Sequence, residues 1–207
     1  MKKQRILAIG MAAAVLGFGA VACGDSGKKD EPSGHEGMSM PSATAPASQN
    51  GHNAQDVMFA QMMIPHHRQA VAMAKTVLAK GADPKVRNLA GRIEKAQAPE
   101  IEKMSGWLKA WGESVPAEGD GGHATSGMGH AMPGMMTGKQ MAAFGRASGK
   151  DVDRMFLTMM IEHHKGAVTM AEQERKSGAS AEARALADEI VRAQQAEITE
   201  MGGLLRS

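Results

Sequence analysis

Two segments of the sequence carry methionine and histidine at spacings that suit metal binding. Residues 62–67 read MMIPHH, and residues 159–164 read MMIEHH. On an α-helix, each of the two methionines lies one turn before one of the two histidines. A further methionine, Met73 or Met170, lies two turns beyond the first histidine of its segment, on the same face. These residues could together ligate a soft metal ion.

The residue types favour copper over other metals. Thioether sulfur is uncharged and selects Cu(I), and imidazole also suits copper. The single cysteine excludes a thiolate cluster, and the oxygen ligands that calcium or magnesium needs are missing from these segments. We therefore predict a Cu(I) site. Its predicted ligands are Met62, Met63, His66, His67, Met73, Met159, Met160, His163, His164 and Met170.

The two segments belong to an internal repeat. Residues 56–74 and 153–171 align at an offset of 97, with 12 of 19 positions identical, and the register continues without a gap to Met104 and Met201. One copy of such a unit cannot bury its apolar surface alone. We therefore expect the two copies to pack against each other about a pseudo-two-fold axis.

Each copy predicts a helical hairpin. Apolar residues from Phe59 to Ala74 recur at three- and four-residue steps and place His66 at the centre of the stripe and His67 at its edge. Pro65 should kink this helix or mark where its regular part begins. Glycine stops and polar caps then separate the two helices of each hairpin. Two such hairpins pack most simply as a four-helix bundle, so the predicted class is all-α.

These patterns divide the chain into five parts. The prediction is a signal peptide at 1–22, a flexible tether at 23–53, a first hairpin at 54–111, a Gly-, Met- and His-rich linker with a short helix at 112–150, and a second hairpin at 151–207.

Two carboxylates recur at polar positions of the second helix of each hairpin. Glu100 and Glu197 are equivalent in the repeat, and a buried carboxylate needs a partner. One interpretation has each of them fixing the free nitrogen of a ligand histidine. The alternative is a structural hydrogen bond between the hairpins.

Further candidate ligands lie in the linker. They are Met128, His130, Met132, Met135 and Met136. A methionine stripe at helical spacing often does no more than fill a core. We expect that explanation to fail for the linker methionines, because a Gly-rich segment offers no core to fill.

The N-terminus predicts export. Lys2, Lys3 and Arg5 precede an apolar run that ends at Cys23, as in a secretory signal. The run is short for a membrane span, and the small residues before Cys23 are typical of lipoproteins that are lipidated at this cysteine. Removing the three basic residues changes the formal charge of +2 to about −1, which argues against a nucleic-acid partner.

The same motifs resemble the bacterial domain-of-unknown-function family 305. The resemblance is carried by MMIPHHRQAVAMA, MMIEHHKGAVTMA, GMMTGKQMAAF and the two AQ-x-x-EI-x-x-M segments, and it covers residues 54–207. It implies a ferritin-like bundle, frequent export, and copper or silver binding in some members, but no reaction. Leu204, where the first copy has Trp107, departs from the pattern.

The favoured function is lipid-anchored, extracytoplasmic binding of Cu(I), with silver as an alternative ion, for buffering, sequestration or transfer to an unidentified copper-handling partner. One alternative is a metal-dependent oxidase. A di-iron enzyme is disfavoured because Glu162 directly precedes His163, whereas that site needs Glu-x-x-His. The other alternative is a non-catalytic envelope interaction protein with a methionine-rich core. No other catalytic motif stands out, so binding is favoured over catalysis.

Overall fold

A computed structural model describes residues 51–118 and 132–207. These residues form five helices: α1 (Ala54–Lys80), α2 (Pro84–Trp111), α3 (Gly138–Arg146), α4 (Gly149–Ser177) and α5 (Ala181–Leu204). The prediction of an all-α bundle is confirmed. None of the helices described is long and apolar enough to cross a membrane. The predicted signal peptide, Cys23, almost all of the tether, Met128 and His130 lie outside the described residues.

The helix boundaries follow from local sequence. Gly81 and Gly178 end α1 and α4, and the side chains of Asp83 and Ser180 cap α2 and α5, as predicted. Helix α1 begins at a capping box formed by Asn53 and Asp56. It continues through Pro65, so the idea that its regular part begins there is wrong. Pro65 is buried, so packing offsets the backbone hydrogen bond that proline cannot make.

The helices pack as two hairpins, and the hairpins contact each other through the first helix of each, α1 and α4. Helix α1 packs along α2, α4 packs along α5, and the hairpins meet where α1 contacts α4. The N-terminal half of α1 shares an apolar cluster with the C-terminal half of α4, and the C-terminal half of α1 shares another with the N-terminal half of α4. The two central helices therefore run antiparallel. The segments 66–67 and 163–164 lie between the two clusters along their helices.

Two buried aspartates hold the hairpins together symmetrically. The Asp56 carboxylate accepts hydrogen bonds from the backbone N–H groups of Ala179 (3.1 Å) and Ser180 (2.9 Å), in the turn of the other hairpin. Its repeat equivalent Asp153 accepts from Ala82 (2.9 Å) and Asp83 (2.8 Å). Each contact maps onto the other at the repeat offset, which confirms the pseudo-two-fold arrangement.

The symmetry breaks at one end of the bundle. Glu174 is fully buried beside Asp56, whereas its repeat equivalent beside Asp153 is Val77. Burial, and then the hydrogen bond with Asp56, raise the pKa of Glu174 to about 8. Burial also works to raise the pKa of Asp56, but hydrogen bonds from Glu174 and from backbone N–H groups outweigh it and leave that pKa below its usual value. At neutral pH Glu174 is therefore protonated beside an ionised Asp56.

Candidate metal centre

Four histidines form a buried layer at the crossing of α1 and α4. The side chains of His66, His67, His163 and His164 are all completely excluded from solvent. The ring centroids of His66 and His163 lie 3.7 Å apart with their planes tilted by 35°, and those of His163 and His164 lie 6.4 Å apart. His67, at the edge of the predicted stripe, is nevertheless fully buried. Helix α2 covers it, because a carboxylate of that helix reaches its ring.

That carboxylate belongs to Glu100. Its Oε2 lies 2.6 Å from Nε2 of His67, and Oε2 of Glu197 lies 2.7 Å from Nε2 of His164. Both hydrogen bonds are formed inside a hairpin, so the alternative of a bond between hairpins does not describe them. A carboxylate can only accept, so Nε2 donates in each pair. In the neutral ring the lone pair is then on Nδ1.

The central histidine pair is less symmetrical. His66 Nε2 lies 3.0 Å from the backbone oxygen of Pro133, which can only accept, so Nε2 again carries the proton. Neither ring nitrogen of His163 has a hydrogen-bond partner. Across the layer, Nδ1 of all four histidines is buried and unpartnered.

Burial keeps the two central histidines neutral. Burial, and then the neighbouring His67, lower the pKa of His66 to about 3. Burial, and then proximity to His66, likewise hold the pKa of His163 well below its usual value of 6.5. At physiological pH both imidazoles therefore keep an available lone pair, which a metal ligand requires.

The predicted methionine ligands divide between the two sides of the layer. Met73 and Met160 are buried in the apolar cluster on one side, with Met159 partly buried against it. Met63 and Met170 are buried in the cluster on the other side, with Met62 partly buried against it. The structure therefore places three thioethers on each side of the histidines, rather than six in one group.

Part of the linker packs onto the layer. Met136 is only 8% exposed and belongs to an apolar cluster, so the expectation that linker methionines have no core to fill is wrong for this residue. Its backbone is fixed by Gln69, whose amide donates to Met136 O (2.9 Å) and accepts from Met136 N (2.7 Å). Met132 and Met135, also predicted as auxiliary ligands, remain partly exposed.

The centre is rich in nitrogen and sulfur and poor in oxygen. Among the residues that the structure describes, no three His, Cys, Asp or Glu side chains form a group that could hold a metal ion. The rings of His66 and His163 lie close together at a tilt of 35° and do not aim their lone pairs at one another, because those lone pairs lie in the ring planes. To ligate a metal ion at this centre, the imidazole rings would rotate from these orientations and bind the ion together with methionine thioethers.

Sequence reasoning missed two polar contributors to this centre. The Pro133 carbonyl carries no side-chain signal, and Gln69 looks like an ordinary helix residue. The signal available was the repeat itself, because Gln69 aligns with Gly166 and breaks an otherwise close match. A polar residue in one repeat and a glycine at the equivalent position of the other indicate that different parts of the chain pack against the two helices at this point.

Comparison with known proteins agrees with this architecture. The sequence matches the domain of unknown function DUF305 over residues 56–205. No protein among the curated ones matches it. A candidate secreted DUF305 protein from Streptomyces coelicolor is 34% identical, with a TM-score of 0.65 over 73% of this chain and 91% of that one.

Solved structures of CopM are also similar. CopM in its Cu(I)-bound form is 33% identical, with a TM-score of 0.59 over 73% of this chain and 95% of that chain. CopM in an Ag-bound form obtained by soaking is 32% identical, with a TM-score of 0.58 over 73% and 94%. The family match spans most of the chain and ends one residue beyond α5. This chain belongs to the DUF305 family.

Proposed function

We propose that this protein binds Cu(I) at the buried histidine layer and serves to buffer, sequester or transfer the ion outside the cytoplasm. The observation that carries the proposal is the set of four buried, unpartnered Nδ1 atoms on His66, His67, His163 and His164. Leaving one buried polar atom without a partner costs about 1–3 kcal/mol. Burying four such atoms in one layer is unfavourable for the free energy of folding, and metal ligation would offset this cost.

The surroundings favour a soft monovalent ion. Thioethers lie on both sides of the layer, and a sulfur-rich set favours Cu(I) over harder ions. Glu100 and Glu197 support the outer histidines by accepting their Nε2 protons, which orients each ring and raises the basicity of Nδ1. Silver(I), with similar softness, is the expected alternative ion.

The relatives support the same ion class. CopM has been solved in Cu(I)-, Cu(II)- and Ag-bound forms, at identities between 32% and 35% to this chain. The matching region contains both MM-x-x-HH segments. This likeness supports copper handling here, and binding rather than turnover is what the neutral, buried ligand set suits best.

The setting of the proposed function comes from the N-terminal sequence. We place the bundle on the outer face of a membrane, lipid-anchored through Cys23 and connected by the tether. Met128 and His130 are assigned to weaker capture of additional ions, because ordering a Gly-rich sequence on binding costs conformational entropy. Met132 and Met135, which are partly exposed, are assigned to the same auxiliary role outside the histidine layer. A copper-handling protein is the partner expected to supply or receive the ion.

A competition titration with a chromophoric Cu(I) chelator tests the proposal. The full-length protein should withdraw Cu(I) from the chelator, and the His66→Ala/His163→Ala variant should lose the tightest site while keeping its helical circular dichroism. Replacing Met128, Met132 and Met135 by leucine should remove only weak equivalents. Unchanged tight binding in the double histidine variant would reject the buried site, and loss confined to the linker variant would assign the metal to the linker.

A further inference from the structure

The chain segment that enters α3 crosses the histidine layer and contacts both central helices. On α1, His66 Nε2 donates to the Pro133 carbonyl at 3.0 Å. On α4, Gly166 lies so close that a Cβ atom there would collide with the same carbonyl group. Gly134 has a positive φ of 75°, and a Cβ atom on it would lie 2.6 Å from the Glu162 oxygen. Residues 132–136, called here the crossing segment, therefore fit tightly against both helices.

Gln69 fixes this segment in place. Its side-chain amide forms two hydrogen bonds with the backbone of Met136, one as donor and one as acceptor, and the pair is buried. Gln69 lies one helical turn after His66 on the same helix. The amide therefore anchors the segment three residues after the carbonyl that reaches the His66 ring.

Comparison of the two repeats shows that only the first one has residues that hold the crossing segment next to its central histidine. Gln69 and Gly166 occupy equivalent positions of the two repeats. On α1, the Gln69 amide binds the backbone of the crossing segment, and on α4, the absence of a side chain at Gly166 lets the segment approach the helix. His163, the equivalent of His66, has no partner at either ring nitrogen. Three of the four histidines thus have an oxygen on Nε2: a carboxylate for His67 and His164, and a backbone carbonyl for His66.

We propose that the Pro133 carbonyl, anchored by Gln69, is a positioning group that sets His66 in the tautomer with its lone pair on Nδ1. A histidine that ligates a metal commonly donates its other N–H to a carboxylate or backbone carbonyl, which fixes the tautomer and the ring orientation. The consequence is an asymmetric centre, in which the tautomer of His66 is fixed and the ring of His163 lacks an equivalent oxygen on Nε2. This inference rests on the proposed Cu(I) site.

The tautomer of His66 can be read without metal. In the 15N-labelled full-length protein, ring nitrogen chemical shifts from two-bond correlation spectra should report a protonated Nε2 and an unprotonated Nδ1 for His66. Gln69→Ala should release the anchor and give a mixture of tautomers. Gly166→Ala should displace the carbonyl from the α4 side with the same effect, while alanine at a helix interior position favours helix.

Gln61→Ala is the matched control. Gln61 lies on the same helix and donates to the backbone carbonyl of Ser114 at 3.1 Å, near the start of the α2–α3 connection and 19 residues before Pro133. The Gln69 and Gly166 variants should bind Cu(I) about 10- to 100-fold more weakly than the wild type, the usual effect of removing such a group. The Gln61 variant should match the wild type in both affinity and tautomer.

The two proposals fail in different ways. If the wild type binds no Cu(I), the proposed function fails, whatever the tautomer of His66. If the wild type binds Cu(I) tightly and Gln69→Ala and Gly166→Ala retain both the wild-type ring shifts and the affinity, the positioning role fails and the function stands. A shift of tautomer in both variants with a matching loss of affinity supports both.

Discussion

The ring centroids of His66 and His163 lie 3.7 Å apart, with the planes tilted by 35°, although 97 residues separate the two histidines in sequence. They are equivalent residues of the two repeats, brought together by the antiparallel crossing of α1 and α4. The contact puts two neutral imidazoles in the middle of an otherwise apolar core. The same pseudo-two-fold axis places their neighbours, His67 and His164, against equivalent carboxylates of α2 and α5.

Removing these carboxylates should weaken metal binding more than it weakens the fold. Glu100→Gln and Glu197→Gln leave a side chain of the same size but a weaker acceptor for Nε2. We expect Cu(I) affinity to fall about tenfold or more for each, and a combined variant to fall further. Competition titration measures this effect. Glu102→Gln, an exposed change on α2, is the control, and an equal loss in that variant would contradict the supporting role.

Methionine variants distinguish ligation from core filling. Met63→Leu/Met160→Leu changes one buried methionine on each side of the histidine layer and should cost less than about 1.5 kcal/mol per site in stability. Met104→Leu/Met201→Leu changes two other fully buried, repeat-equivalent methionines in the same clusters. The first pair should lower Cu(I) affinity and the second should not. Equal affinities for the two variants would favour the interpretation of these methionines as core alone.

The Glu174–Asp56 pair should make the stability of the metal-free protein fall as the pH rises. Glu174 has a pKa of about 8 in the folded protein and near 4.5 when unfolded, so the folded state binds more protons between these values. The lowered pKa values of His66 and His163 act in the opposite direction, but only below about 6.5. Between pH 6.5 and 8 the free energy of unfolding should therefore decrease, by at most about 2 kcal/mol, because one extra bound proton is worth about 1.4 kcal/mol per pH unit.

Thermal unfolding at several pH values in this window checks the expectation. Gln55 and Arg184, the other groups that act on Glu174, work against the rise in its pKa and stay in place in every variant. Glu174→Gln keeps a neutral hydrogen-bonding side chain and should abolish the decline, and Glu174→Val should do the same by copying Val77 of the first repeat. A decline that persists unchanged in both variants would assign it to another group.

The predicted lipid anchor depends on a single residue. Cys23→Ser should release the protein from membranes into the soluble fraction, because a hydroxyl cannot carry the thioether-linked lipid. Fractionation followed by mass measurement of the mature N-terminus checks this. A wild-type protein that is already soluble and carries no lipid would show that the signal is an ordinary one.

The sequence alone predicted the helix boundaries, because residues close to each boundary determine it. Asp83 and Ser180 begin helices because their side chains cap them, as the structure confirms. Gly81 and Gly178 end helices as predicted, but with extended backbone, and glycine is needed there because a Cβ atom would collide with the Asp153 or Glu174 side chain. The pairing of the two hairpins followed from the repeat. Pro65 does not mark the start of the regular helix, because its local cost is offset by the packing of a buried face.

Features that depend on tertiary contacts could not be predicted. The sequence offered the pairing of Glu100 with a histidine as one of two interpretations, but not the complete burial of His67, whose partner lies 33 residues away on another helix. The burial of Met136 depends on Gln69, 67 residues away. The division of the methionines into two sets follows from the antiparallel crossing of α1 and α4, which helical periodicity within one segment does not reveal.

X-ray absorption at the copper edge of the Cu(I)-loaded full-length protein tests the central claim most directly, because it reports which atoms surround the ion. The account predicts a mixed shell of nitrogen and sulfur at one equivalent of Cu(I). In the His66→Ala/His163→Ala variant the nitrogen contribution should fall. A sulfur-only shell in the wild type, or a shell unchanged in the double variant, would contradict ligation by the buried histidine layer.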